Sequence, residues 1–260
     1  MLCAGLCVYV CSELVVSFRG SETKATKGAL YNWQTNLEMI RVDCTYSDNC
    51  GGIHHGFDEY YKSIQTTHLQ YLNNILKNHT TITQLTFTGH SLGGALASVA
   101  ALDTRFRLQI AKTLPEIKTA DAISIKIRTF GSPRVGNSKF VAAFNKYVPQ
   151  SRRYVSEYGT SNNSEEDFVT GQPPSLLGYS HVNQKFTVKC GASDPFMCHK
   201  LMYYWGTMDP LYDSLKSYLD QFSEAVSDDM TSDSSSSFAR LSARVMATIV
   251  IVVSFVVTCL

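Results

Sequence analysis

The stretch Leu85 to Ala97, LTFTGHSLGGALA, constrains this chain more than any other. Strand-forming residues run straight into Gly89-His90-Ser91-Leu92-Gly93, and small apolar residues then continue at helical spacing. A G-x-S-x-G segment between a strand and a helix holds its serine on a sharp, strained turn. The turn needs glycine two positions to either side, because a side chain there would strike neighbouring backbone. The helix that follows aims its first N–H groups at the serine, where they can stabilise developing negative charge. As a bare pattern the motif turns up by chance in on the order of one chain in ten of this length. The strand–helix context is what makes Ser91 a candidate nucleophile.

The rest of the chain alternates in the same way. Leu14 to Phe18 reads as a buried strand closed by Arg19-Gly20. From Phe57 to Leu76 apolar residues recur at about every third or fourth position (Tyr60, Tyr61, Ile64, Leu69, Leu72, Ile75, Leu76), which predicts a long amphipathic helix. A strand is expected over Leu85–Thr88, a helix over Leu92–Ile110, and a strand over Ile123–Phe130 closed by Gly131-Ser132-Pro133. Val135–Tyr147 reads as helix and Arg153–Ser156 as extended. Strands alternating with helices predict an α/β fold with a mainly parallel central sheet flanked by helices, and 260 residues suit one such core. Parallel sheets carry ligands at the carboxyl ends of their strands, so chemistry belongs just after Phe18, Thr88, Phe130 and Ser156. Lys and Arg number 23 against 22 Asp and Glu, which gives no electrostatic footprint for nucleic acid. No internal repeat is visible.

A serine hydroxyl needs a histidine as base, and the histidine needs a carboxylate to hold its tautomer. With the motif in this fold, the chain order is Ser, then Asp or Glu, then His. Carboxylates between Ser91 and the last histidine are Asp103, Glu116, Asp121, Glu157, Glu165, Glu166, Asp167 and Asp194; the histidines that follow are His181 and His199. His54, His55, His68, His79 and His90 come before the serine and read as structural or exposed imidazoles. Order alone leaves the acid and the base open.

The segments VVSFRGS, NW, HHGF, TGHSLGGALA, TFGSPRVGN and DFVTGQPP occur in the order found in fungal-type triacylglycerol lipases, the class III lipase family. The chain resembles that family over roughly Leu14 to Gly206. The resemblance implies an α/β-hydrolase fold and a serine carboxylic-ester hydrolase without a cofactor or metal. It also implies acylglycerol substrates and action at a lipid interface or membrane. Phospholipids or other esters are alternative substrates, and a silent lipase-like binding domain is the alternative outside catalysis. The family's acid opens a D-x-V-x-x-x-P-P segment, matched here by Asp167 to Pro174, so Asp167 is the expected acid. The family's H-x-x-Y pattern points to His199 as base, although extra residues separate it from Tyr203-Tyr204-Trp205-Gly206; His181 is the alternative. The oxyanion hole is expected from the backbone N–H groups of Leu92 and Ser21, with Arg19 structural. Gly89, His90 and Gly93 complete the elbow. Glu22 to Tyr31 corresponds to the family's lid, here longer and more polar. Phe18, Trp33, Leu92 and the Leu176-Leu177 region are expected acyl-pocket walls. The family carries several dozen residues ahead of the FRG strand, so N-terminal elements are expected to be missing from this sequence.

Cys44 and Cys50 flank one short polar loop and Cys190 and Cys198 another, which suits two disulfide clips on an exported protein. Asn78-His79-Thr80 and Asn162-Asn163-Ser164 fit the N-glycosylation acceptor pattern. Residues 1–226 read as the lipase-like domain, 227–244 as a Ser-rich spacer, and 245–260 as a hydrophobic tail. That tail is shorter than the roughly 20 residues that span a bilayer and resembles a glycolipid-anchor signal, with a tail-anchored helix as alternative. The anchor signal and the disulfide clips predict an extracellular or cell-surface protein, while the first residues lack a basic signal-peptide region.

Overall fold

Leu14, Val15, Val16 and Phe18 are all buried, as are Leu85, Thr86, Phe87 and Thr88. Consecutive burial without alternation marks strands covered on both faces, the environment of a parallel sheet between helices. A computed structural model of the chain bears this out; it describes residues 5–10, 12–21, 39–110, 123–160, 163–182, 184–191, 195–201 and 204. The lid segment, Trp33, Asn162, the spacer and the hydrophobic tail lie outside the described residues.

The main sheet runs β1 (Gly5–Val10), β2 (Glu13–Phe18), β5 (Gln84–His90), β6 (Ser124–Phe130), β7 (Gln150–Thr160) and β8 (Asn163–Glu166), with β9 (Gln184–Lys189) also on β7. The pairs β2–β5, β5–β6, β6–β7 and β7–β9 are parallel; β1 and β8 pair antiparallel with β2 and β7. A small ribbon of β3 (Arg41–Asp43) and β4 (Gly52–His54) stands apart. Helix α1 (His55–Asn78) buries Phe57, Tyr61, Leu72 and Leu76, one amphipathic stripe. It extends the predicted span by two residues at each end; at the N-terminus the His54 imidazole caps the Phe57 N–H, and at the C-terminus the His79 N–H closes on the Ile75 carbonyl. Helix α2 (Leu92–Ile110) is buried all round from Gly93 to Thr104, and its run of Gly, Ala and Ser lets it lie close against β5 and β6.

Two expectations shift. Helix α3 (Ser138–Tyr147) begins three residues later than periodicity predicts. The Asn137 side chain caps Phe140 N at 3.0 Å, while Gly136 bridges Ile53 and Ser180 in strand fashion. Strand β7 is longer than the predicted Arg153–Ser156, because β8 folds back on its far end from Glu157 to Thr160.

Two buried carboxylates are committed to the fold. Asp103 accepts from Tyr61 at 2.9 Å, Gln65 at 2.8 Å and Arg107 at 2.7 Å, tying α1 to α2. Asp58 accepts from Tyr46 at 2.6 Å and Lys62 at 2.7 Å. Desolvation first, and then the facing carboxylate, push both phenols well above their ordinary pKa, so each stays a donor. Asp103, a candidate acid by chain order alone, is thereby occupied elsewhere. Cys44–Cys50 and Cys190–Cys198 are both disulfide-bonded, as their spacing predicts.

Candidate active site

The strand ends deliver four segments to one place. Strand β5 turns at Ser91, whose φ of +57° is the left-handed conformation that a non-glycine residue adopts only under tertiary constraint. The constraint is visible: Ser91 N–H donates to Phe130 O at 2.9 Å, and the Ser91 carbonyl accepts from Gly94 N at 2.9 Å. A Cβ on Gly89 would lie 2.2 Å from the Gly93 carbonyl oxygen, and one on Gly93 would lie 2.2 Å from the Phe18 oxygen. Both glycines of the elbow are required by close backbone approach.

The acid arrives by an indirect route. Asp167 follows β8, and its N–H returns to β7 by donating to Ser156 O at 2.8 Å. Its side chain is fully buried, with Oδ1 accepting from Val169 N at 3.0 Å. The loop it opens is clamped from outside. Arg134 donates to the carbonyls of Gly171 and Pro173, and His181 Nε2 donates to Thr170 O at 2.7 Å.

His199 stands one residue past the Cys190–Cys198 disulfide, which ties its segment to the end of β9. Its Nδ1 lies 2.7 Å from Asp167 Oδ2 and its Nε2 3.0 Å from Ser91 Oγ. An ionised carboxylate only accepts, so Nδ1 carries the proton, Nε2 is the lone-pair nitrogen, and the serine hydroxyl donates to it. Ser91, His199 and Asp167 are 7 %, 3 % and 0 % exposed, which puts the whole relay in a low-dielectric setting. Such an arrangement can take the hydroxyl proton as oxygen attacks a carbonyl and return it to a leaving group.

His181, the alternative base, is outside this relay. Its Nε2–H is spent on the Thr170 carbonyl, and desolvation, then Arg153 and Arg134, lowers its pKa to about 3. It is a neutral brace for the acid loop.

Two participants escaped sequence reasoning. Tyr204 donates its phenol O–H to Asp167 Oδ2 and accepts Ser156 N–H at 3.1 Å. Desolvation and the Asp167 charge hold its pKa far above the ordinary value, so it remains a donor. The aromatic group after His199 was the available signal. His90, read as a structural imidazole of the elbow, packs its ring 4.7 Å from that of His199 and donates Nε2–H to the His199 carbonyl at 2.6 Å. Desolvation first, then His199, lowers its pKa to about 3, so it adds no charge beside the base. Gly131 makes room for all of this. At φ +56°, its Cβ would lie 2.7 Å from Asp167 Oδ2, 3.0 Å from Tyr204 Oη and 3.1 Å from His199 Cε1.

The expected oxyanion residues fall beside the serine. Leu92 is the first residue of α2, where backbone N–H groups have no acceptor within the helix. Ser21 is exposed and follows Gly20, whose Cβ position is 3.6 Å from Ser91 Cβ. The expected acyl-pocket walls fare differently. Phe18 is 4 % exposed and packs in the core on Phe87 and His68. Leu176 and Leu177, 94 % and 44 % exposed, are surface residues. Leu92 is half-buried and packs against the core.

A mainly parallel sheet with a serine on a strand-to-helix elbow, followed in the chain by an aspartate and then a histidine, defines an α/β-hydrolase fold. Residues 15–175 match the family model described as Lipase (class 3), and the chain belongs to that family. It is 30% identical over 182 residues to the secreted mono- and diacylglycerol lipase 1 of Fusarium solani, covering 70% of this chain and 46% of that protein. To the lipase of Rhizomucor miehei it is 27% identical over 180 residues, covering 67% of this chain and 41% of the relative. The chain thus spans about half the length of the curated relatives it matches. Among solved structures, the native Rhizomucor miehei lipase with its propeptide superposes with TM-score 0.55 at 23% identity, over 73% of this chain and 60% of that one. A structure described as a triacylglycerol lipase with a serine protease triad at its catalytic centre superposes with TM-score 0.52 at 25% identity, over 68% of this chain and 58% of that one.

Proposed function

We propose that this chain hydrolyses carboxylic esters of glycerol through Ser91, His199 and Asp167. Ser91 Oγ attacks the ester carbonyl while His199 Nε2 takes its proton. Asp167, held by Val169 N–H, His199 and Tyr204, stabilises the imidazolium. The N–H groups of Leu92 and Ser21 receive the tetrahedral oxyanion. Collapse expels the alcohol with the His199 proton and leaves an acyl-Ser91 ester, which water, deprotonated by His199, then hydrolyses. The observation that carries this reading is the unbroken relay: 3.0 Å from Ser91 Oγ to His199 and 2.7 Å from His199 to Asp167. A binding protein has no need to bury a carboxylate and hold it on an imidazole.

Acylglycerols are favoured because relatives that share about two thirds of this chain are named mono- and diacylglycerol lipases or lipases. A lipid surface is the partner we assign. Met39, Ile40, Leu176 and Leu177 are exposed apolar side chains on two segments joined to one another. Arg41 donates to the Leu177 carbonyl, and Tyr179 Oη lies 3.3 Å and 3.2 Å from the carbonyls of Met39 and Ile40. The patch follows the acid loop in the chain. Two disulfides agree with an extracellular location, and a glycolipid that replaces the tail at 245–260 would hold the protein at a cell surface, with the tail itself as a membrane helix the alternative.

The test is a series of nitrophenyl and glyceryl esters of rising acyl length, assayed below and above micelle formation with Ser91→Ala as control. Ser91-dependent turnover that rises with aggregated long-chain glycerides is expected. Turnover confined to short soluble esters would overturn the lipase reading, and turnover that survives Ser91→Ala would overturn the enzyme reading.

A further inference from the structure

We propose that Asn78 carries an N-linked glycan whose first sugars lie back along α1 over Tyr71. Asn78-His79-Thr80 is an acceptor triplet, and the fold leaves it at a surface corner. Helix α1 ends on Asn78, and residues 77 to 81 are all exposed. A glycan is added before the chain folds, so the folded structure has only to leave room for it, and here every residue of the triplet faces solvent. Among the described residues, Asn78 Nδ2 donates within its own helix, to Asn74 O at 2.9 Å and Asn74 Oδ1 at 3.1 Å. Attachment replaces one of the two amide hydrogens, so one of these bonds survives.

Tyr71 supplies a second, independent observation. It is 66 % exposed, the most exposed aromatic among the large apolar side chains of the described residues. It precedes Asn78 by seven residues, two helical turns, so both lie on one face about 10 Å apart along the axis. The first two sugars of an N-glycan reach that distance, and the C–H face of a hexose rests well on an exposed ring. Asn74, Asn78's hydrogen-bond partner, lies between them on the same stripe.

The fold also keeps a glycan clear of the hydrolytic site. Chain that leaves α1 enters β5 at its amino end, whereas Ser91 follows the carboxyl end of that strand. The glycan and Ser91 are therefore at opposite ends of the strands. The two disulfides place folding in the oxidising compartment where the donor is found. That donor is a lipid-diphosphate-linked oligosaccharide. Asn78 Nδ2 forms a bond to sugar C1, the C1–O bond to the diphosphate breaks, the amide proton passes to a base on the transferring enzyme, and the lipid diphosphate leaves.

The experiment is secretion of the full chain from a eukaryotic host, followed by peptide-N-glycosidase treatment in heavy-oxygen water. The peptide containing Asn78 should return as heavy-labelled Asp. The mass shift of the intact protein should lose this component in Asn78→Gln and in Thr80→Ala, but keep it in Asn162→Gln. Secreted protein with an unmodified Asn78 overturns the proposal. Enzymatic removal of the glycan should lower the melting temperature by about 2–4 °C in the parent and by less in Tyr71→Ser. An equal fall in both overturns the contact with Tyr71. Ester hydrolysis should be the same in Asn78→Gln and parent. A parent that is glycosylated but hydrolyses nothing would count against the proposed activity and leave the glycan standing.

Discussion

Replacing Gly131 with Ala adds one methyl group at the point where acid, base and phenol meet. That methyl would sit 2.7 Å from Asp167 Oδ2 and 3.1 Å from His199 Cε1, where ordinary contact begins at 3.4 Å. The carboxylate must retreat by about 0.7 Å, or the β6 turn must give way. The backbone offers little relief, because φ is +56° and alanine pays about 1–2 kcal/mol there. Crowding of a packed site adds about 1–3 kcal/mol. A displacement of about 1 Å in a catalytic constellation costs on the order of 100-fold in rate, so a fall in kcat on the order of 10- to 100-fold is expected. KM should hardly move, since Gly131 faces the relay. The assay is steady-state hydrolysis of a soluble nitrophenyl ester alongside urea unfolding. A variant that keeps kcat within about threefold and unfolds at the parent's urea midpoint would refute the convergence of Asp167, His199 and Tyr204 on Gly131.

Other consequences follow from the same contacts. Tyr204→Phe removes one donor from a buried carboxylate and strands Ser156 N–H, so unfolding free energy should fall by about 1.5–3 kcal/mol, read by urea titration; no loss would mean the phenol is not engaged. His68, His90 and His181 have folded pKa values lowered to about 4, 3 and 3. The unfolded chain therefore binds protons first as pH falls below about 6.5, and stability should drop from there toward about pH 3. Each histidine contributes at most about 1.4 kcal/mol per pH unit; unfolding at pH 7, 5.5 and 4.5 checks this, and His181→Gln should flatten the slope. Opening the Cys190–Cys198 loop by double serine substitution should cost about 2–3 kcal/mol and lower kcat more than it raises KM, since His199 adjoins Cys198. Ile40→Ser with Leu176→Ser should spare hydrolysis of soluble esters and weaken turnover of emulsified glycerides; equal activity on both would remove the patch from the lipid interface.

Local chemistry explains what could be read from the sequence. The elbow is legible because its glycines answer to contacts within a few residues, and Asp167 because its segment carries a spaced signature ending in two prolines. His199 was legible through its resemblance to the family's H-x-x-Y pattern, despite irregular spacing. Contacts between residues distant in sequence were not legible. Tyr204 reaches Asp167 across 37 residues and His90 reaches the His199 carbonyl across 109. No periodicity reports such pairings. The β8 hairpin that carries the acid was hidden for a different reason. Asn163-Ser-Glu-Glu has low strand propensity, and only pairing with the far end of β7 makes it a strand.

The central claim is that Ser91 is made nucleophilic by His199. Its most direct measure is the rate of fluorophosphonate labelling, with the modified peptide identified by mass. A single adduct on Ser91 is expected in the parent and in His181→Ala, with labelling slowed by at least about 100-fold in His199→Ala. An adduct elsewhere, or labelling that survives in His199→Ala and fails in a folded His181→Ala, would contradict it.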